Sequence, residues 1–236
     1  MKAVILAGGK GTRLTPYTKI LPKPLVPIGD MPILEVLIRQ LKRSGIRDIT
    51  LTVGHMANLL QAFFSDGAQY DVAITYSFEA KPLGTVGPLS LIPRPSEPFF
   101  VMNGDILTTL DYNELMAFHH ESGAVATIAM HERKVKIDLG VIETDGDHRI
   151  TAYIEKPTHH YAVSMGIYVF EPGVIDLIPP GHYYDFPKLM DDLLARGEKV
   201  CGYPFSGYWQ DLGNPSDYEQ ATHDFESMRA EFLGEA

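Results

Sequence analysis

The feature that most constrains this chain is a glycine-rich run set directly behind an apolar one. Lys2–Leu6 is apolar after its first residue, and Ala7-Gly8-Gly9-Lys10-Gly11-Thr12-Arg13-Leu14 follows with no spacer. An unbroken apolar run of this length is expected of a strand buried on both faces of a parallel sheet. Glycines just past its end let the backbone turn sharply and bring N–H groups up to an anion. Two familiar glycine motifs do not fit. A dinucleotide fingerprint needs a third glycine three residues after the second, and after Gly9-Lys10-Gly11 that place is held by Leu14. A Walker A loop needs Ser or Thr after its lysine, and Gly11 follows Lys10.

Beyond the glycines, strand and helix patterns alternate. Pro32 suits a first helical turn. Leu34, Leu37, Ile38 and Leu41 then recur at helical spacing up to Gly45. Ile49, Leu51 and Val53 alternate with threonines as a strand ending at Gly54. A helix is expected over Ala57–Phe64, a strand through Val72, Ile74 and Tyr76, and a strand over 99–102 ending at Asn103-Gly104-Asp105. A helix over 112–120 and a strand over 124–130 follow. Later, 140–142, Ile150–Ile154 and 163–170 have strand patterns, and Phe186–Ala195 and 215–228 have helical ones. The expected fold class is α/β, a Rossmann-like, mostly parallel sheet with helices on both faces. The later strands are expected to add a small β subdomain with some antiparallel pairing. No linker or repeat divides the chain, so residues 1–236 are expected to form one domain.

Composition narrows the function. The chain has 236 residues, 45% of them apolar, enough for one substantial core. No apolar run reaches the roughly 18–20 residues that span a bilayer, so no membrane partner is expected. Residues 1–7 run straight into the glycines and have no signal-peptide pattern. The single cysteine, Cys201, excludes an intramolecular disulfide and a Cys-based zinc site, and points to the reducing cytoplasm. A formal net charge of -10 argues against nucleic acid as a partner. Against that background Lys2, Lys10, Arg13, Lys19 and Lys23 all precede the first acid, Asp30. A basic segment in an acidic chain suggests a focused anion site.

Residues 7–27 as a whole, with Gly8-Gly9-x-Gly11-Thr12-Arg13-Leu14 and Pro22-Lys23-Pro24-Leu25, closely resemble the signature of the nucleoside-diphosphate-sugar pyrophosphorylases, which are sugar-1-phosphate nucleotidyltransferases. The resemblance extends from Met1 to about Ala221 and implies an NTP and a sugar 1-phosphate as substrates. It implies that Ala7, Gly8, Gly9, Gly11 and Thr12 wrap the triphosphate. Arg13 would hold the phosphates that leave as pyrophosphate, and Lys23 the α-phosphate and the sugar phosphate. Pro22 and Pro24 fix the backbone on both sides of that lysine. Asp105 ends a strand, where open α/β sheets bind ligands. Asp211, in Trp209-Gln210-Asp211-Leu212-Gly213, is too distant in sequence for spacing to pair the two. The resemblance pairs them as Mg²⁺ ligands.

On the sugar side the resemblance assigns Gly140, Glu155, Lys156 and Ser164. The Ser-Met-Gly-Ile-Tyr form around Ser164 tilts the sugar toward glucose, with mannose close behind. On the nucleobase side it assigns Gly84 and Thr85, in Pro82-Leu83-Gly84-Thr85, to base and ribose. The preceding Glu79 could accept hydrogen bonds from guanine, which leans toward GTP. UTP, dTTP, CTP or ATP stay open, as do a choline-phosphate acceptor and a non-catalytic sugar-nucleotide sensor. A sensor should lack Arg13, Lys23 or one of the aspartates, and all are present. With no hexapeptide-repeat tail after the second aspartate motif, no appended acyltransferase or large regulatory domain is expected. The oligomeric state is left open, a homo-oligomer included.

Overall fold

A computed structural model describes residues 1–9 and 11–234; Lys10, counted above in the basic segment, lies outside the described residues. In chain order the elements are β1 (Lys2–Leu6), β2 (Pro27–Ile28), β3 (Met31–Pro32), α1 (Ile33–Arg43), β4 (Asp48–Val53), α2 (Ala57–Phe64), β5 (Ala73–Phe78), β6 (Phe99–Asn103) and β7 (Ile106–Thr108). Then come α3 (Tyr112–Ser122), β8 (Ala126–Lys136), β9 (Val141–Thr144), β10 (Ile150–Ile154), β11 (Thr158–Phe170), α4 (Phe186–Ala195), β12 (Val200–Phe205), β13 (Trp209–Asp211) and α5 (Pro215–Leu233).

Seven strands form one sheet in the order β12-β8-β11-β6-β1-β4-β5. β1 pairs in parallel with β4 and β6, β4 with β5, and β8 with β12. Only β11 runs against its neighbours, β6 and β8. The sheet is therefore mostly parallel, with β11 as its one antiparallel strand, while β9 and β10 pair antiparallel apart from it as accessory strands. β8 runs the same way as β6, so β1, β6 and β8 all end on one edge.

The apolar residues of β1 serve two cores, as a doubly covered strand requires. Ala3 and Ile5 face α1, α2 and α3, against Leu37, Leu60 and Leu115. Val4 faces α4 and its neighbours, against Leu89, Phe170 and Leu189. A third cluster lies at the flank, where Phe225 and Phe232 of α5 pack on Ile28, Val36, Leu107 and Leu212. Among the described residues no helix is long and apolar enough to cross a membrane.

Local chemistry sets the boundaries. Pro32 stands one place before α1 as its N-cap, in extended conformation, because it pairs with Pro27 in the β2–β3 hairpin. Asp111 caps α3 by accepting from the Asn113 and Glu114 N–H groups, and Gly123 closes it with φ 61°. α5 runs on past Met228, which has non-helical φ and ψ, because Phe232 is drawn into the flank cluster. β8 and β11 extend beyond the expected 124–130 and 163–170. Their outer halves, such as His131–Lys136 of β8, are polar and held by a mutual ladder, not by burial.

Buried Gln40 of α1 donates from its amide to the Thr108 carbonyl of β7 (2.8 Å) and the Phe232 carbonyl of α5 (3.2 Å). An apolar residue there leaves those carbonyls short of a donor, at about 1–3 kcal/mol. Gln40→Met is expected to lower the unfolding free energy in urea by about that amount, with the m-value unchanged.

Candidate active site

The glycine turn is shaped by what presses on it. After β1, the Ala7 N–H donates to Thr52 O (2.9 Å) and the Gly104 N–H to Leu6 O (3.1 Å), which ties the ends of β4, β1 and β6 together. Gly11 has φ 61° and ψ 27°, a conformation a side chain disfavours. A Cβ there would also stand 2.9 Å from Thr18 Cγ2 and 3.0 Å from Lys23 Cβ. The Thr18 hydroxyl donates to Gly11 O (2.8 Å), and Thr12–Leu14 forms a short 3-10 turn that presents Arg13. Pro22 and Pro24 are buried on either side of Lys23 and fix its origin.

Lys23 reaches across the sheet edge. Its Nζ donates to Asp105 Oδ2 and lies 4.0 Å from Asp211 Oδ1. The two aspartates meet because β7 and β13 pair antiparallel, with Asp211 opposite Ile106. The Leu212 N–H also donates to the Asp105 carbonyl (3.1 Å). Burial first, and the Asp105 charge second, push the Asp211 carboxyl above its usual range, while Lys23 and Arg13 pull it down. A Cβ added at Gly213 would lie 2.9 Å from Asp211 Oδ2 and 3.4 Å from an Arg13 guanidinium nitrogen, so Arg13 faces the same cluster.

These groups line one end of a cleft of about 500 Å³. Ala7, Gly8, Gly9, Gly11, Arg13, Lys23 and Asp105 line it, as do Glu79, Gly84 and Thr85. Asp211 joins through Lys23. Thr12 lies in the 3-10 turn with an exposed side chain. The donor set suits a hard cation. Two carboxylates already share one ammonium, and a small divalent ion commonly takes one or two carboxylates plus water and phosphate oxygens. Among the described residues no group of three or more His, Cys, Asp or Glu gathers as a metal nest, so the protein offers this pair.

At the other end, Glu79 is more constrained than a free reader of guanine. Its Oε2 accepts from the Leu83 N–H (3.1 Å), and its other oxygen packs where a side chain on Gly8 or Gly54 would stand. Burial pushes its carboxyl up, partly offset by the Leu83 N–H. Segment 83–87 is held by a distant loop. Tyr184 O accepts from the Val86 and Gly87 N–H groups (3.1 and 2.9 Å), and the Tyr184 N–H donates to Leu83 O (2.8 Å). Asp185 Oδ1 accepts from the Thr85 N–H (2.9 Å). No sequence motif marked this loop, yet its Tyr183 lines the cleft.

The sugar-side residues Gly140, Glu155, Lys156 and Ser164 are not among those that line the cleft. Gly140 directly precedes β9, and Glu155 and Lys156 directly follow β10. Gly140 adjoins the Tyr153 ring, whose hydroxyl donates to Glu155 Oε2 (3.2 Å). Lys156 Nζ is 3.7 Å from Glu155 Oε1, and both side chains are exposed. Ser164 donates to the Tyr168 hydroxyl (3.0 Å). The strand bulges beyond it, and Gly166, at φ 72°, sits where a Cβ would meet the Asn103 amide. The Trp209 Nε1–H donates to Met165 O (3.0 Å), which fastens this bulge to the strand carrying Asp211.

Comparison with known proteins places residues 2–228 within the nucleotidyl transferase family model. The chain is 38% identical over 250 residues to a UTP–glucose-1-phosphate uridylyltransferase of Synechocystis sp., covering 94% of this chain and 62% of that protein. It is 36% identical over 231 residues to a mannose-1-phosphate guanyltransferase of Debaryomyces hansenii, covering 94% and 64%. The chain thus spans less than two thirds of these curated relatives. A crystal structure of HddC from Yersinia pseudotuberculosis complexed with GMP-PN superposes with a TM-score of 0.73 at 25% identity, covering 95% of this chain and 99% of that one.

A carboxyl with a raised pKa favours the fold when protonated and loses that contribution as pH rises through its folded value. Asn at position 211 mimics the protonated form. In EDTA, Asp211→Asn is expected to melt above the unmodified chain at pH 7. The difference should vanish below the ordinary aspartate value of 3.8, where both carboxyl states are neutral. Thermal scans at the two pH values check this.

Proposed function

The chain belongs to the nucleotidyl transferase family, and from that premise we propose that it joins an NTP to a sugar 1-phosphate, giving an NDP-sugar and pyrophosphate. The observation that carries this reading is the convergence of Arg13, Lys23, Asp105 and Asp211 at one end of a glycine-lined cleft. Two anions must meet in this reaction, so positioning and charge neutralisation are the main demands on the protein.

A sugar-phosphate oxygen attacks the α-phosphorus in line. One P–O bond forms to the sugar phosphate as the bond to the β-phosphate breaks, and pyrophosphate leaves with the electron pair. No covalent enzyme intermediate is needed. Arg13 takes the departing phosphates, and Lys23, aimed by its buried prolines, takes the α-phosphate and the incoming sugar phosphate. Ala7, Gly8, Gly9, Gly11 and Thr12 wrap the triphosphate. Mg²⁺, when held by Asp105 and Asp211, supplies further neutralisation of phosphate charge. Gly140, Glu155, Lys156 and Ser164 receive the sugar phosphate on the neighbouring arm.

GTP, with mannose or glucose 1-phosphate, is the preferred pair. Support comes from the guanyltransferase relative and the neighbour complexed with GMP-PN. Glu79 is the proposed base contact through its oxygen not engaged by Leu83, with Gly84 and Thr85 beside it. The uridylyltransferase relative supports a second pairing, UTP with glucose 1-phosphate.

Pyrophosphate release, measured for each NTP against a panel of sugar 1-phosphates, tests both. GTP with mannose or glucose 1-phosphate should be fastest. Removing one stabiliser of this kind costs about 2.7–4 kcal/mol of barrier, so Arg13→Ala and Asp211→Ala should each lower kcat roughly a hundredfold or more. Near-normal turnover in either folded variant refutes the assignment. Saturable NDP-sugar binding without any release would mark a sensor.

A further inference from the structure

The chain enters α4 through Tyr183-Tyr184-Asp185-Phe186, and the aromatic residues of this segment have divided roles. Tyr184 is buried in the second core. Phe186 stacks on Tyr168 with ring centroids 3.6 Å apart. Tyr183 between them and the cleft keeps 65% of its surface exposed and lines the cleft wall beside Thr85 and Pro88. An exposed ring whose neighbours are both anchored is held in place without being used by the core.

Its attachment is specific. The Tyr183 hydroxyl donates to Asp185 Oδ2. The other oxygen of the same carboxylate accepts from the Thr85 N–H (2.9 Å) and hydroxyl (3.3 Å). Thr85 Oγ1 in turn accepts from the Phe186 N–H (2.8 Å). Gly84, at φ 82°, has no room for a Cβ, which would meet Asp185 Oδ1 and stand 2.8 Å from Tyr184 O. Asp185 thus locks the ring to the segment that follows β5.

Sheet order fixes which part of a ligand this ring can meet. The cation–carboxylate cluster sits where β6 and β1 end. Glu79 and the segment after it follow β5, two strands beyond β1. A nucleotide whose phosphates lie at the cluster therefore extends its nucleoside toward Thr85.

We propose that Tyr183 is the aromatic plate on which the nucleobase of the NTP stacks, with Asp185 as the positioning residue that sets its angle. This rests on the nucleotidyltransferase reading and adds a nucleobase contact to it. Stacking a base on an aromatic side chain changes affinity by about five- to 150-fold on alanine substitution.

Calorimetric titration of GTP, and separately of inorganic pyrophosphate, tests it on the full chain and on Tyr183→Ala, Tyr183→Phe and Asp185→Asn. Tyr183→Ala should weaken GTP within that range and leave pyrophosphate unchanged, since pyrophosphate has no base to stack. Tyr183→Phe, which keeps the ring but loses the hydroxyl that Asp185 holds, and Asp185→Asn should both fall between the unmodified chain and Tyr183→Ala. Equal weakening for both ligands makes the ring merely structural, and unchanged GTP affinity makes it idle; either result overturns the proposal. An unmodified chain that binds pyrophosphate but no NTP fails the nucleotidyltransferase reading itself, which is visible before any variant is compared.

Discussion

The site depends on one ammonium held between two carboxylates from distant parts of the sequence. Asp105 and Asp211 repel each other; burial first, and that repulsion second, hold the Asp211 carboxyl above its usual range. They stay together because three residues of β7 pair with three of β13, and because the Leu212 N–H closes onto the Asp105 carbonyl. Backbone hydrogen bonds hold the charges in place, and Lys23 makes the arrangement tolerable. A like-charged pair kept close by backbone is a natural receptor for a cation.

That pairing is itself supported from behind. Gln40 ties β7 to α1 and to the end of α5, while Leu107 and Leu212 pack under Phe225 and Phe232. Arg229 makes a forked contact with Asp30, at 2.7 and 3.2 Å, and lies over the Phe225 ring. The flank cluster around α5 is therefore the foundation of the carboxylate pair. Substitutions far from the cleft, on α1 or α5, bear on the spacing of the two carboxylates through this route.

Much of this was legible in the sequence, for physical reasons. β1 and the glycine turn were readable because a doubly buried strand must be continuously apolar and a turn pressed by Thr18 and Lys23 must be glycine. The partnership of Asp105 and Asp211 was not readable from spacing, because it is made by a pairing only three residues long. It came from family resemblance alone. The outer halves of β8 and β11 were missed because ladder hydrogen bonds leave no apolar period. Tyr183 was missed because a lone exposed aromatic in a loop has no pattern at all. Glu79 was marked, yet its engagement with Leu83 depends on a turn that the sequence did not specify.

The long arm formed by the outer halves of β8 and β11 has a consequence for local stability. From His131 to Lys136 and from Thr158 to Val163 the two strands bond to each other with little core beneath them. Segments of that kind open at lower cost than strands such as β1 and β6, which are buried along most of their length. Amide exchange along the arm therefore reads a local opening, and exchange along the central sheet the unfolding of the whole.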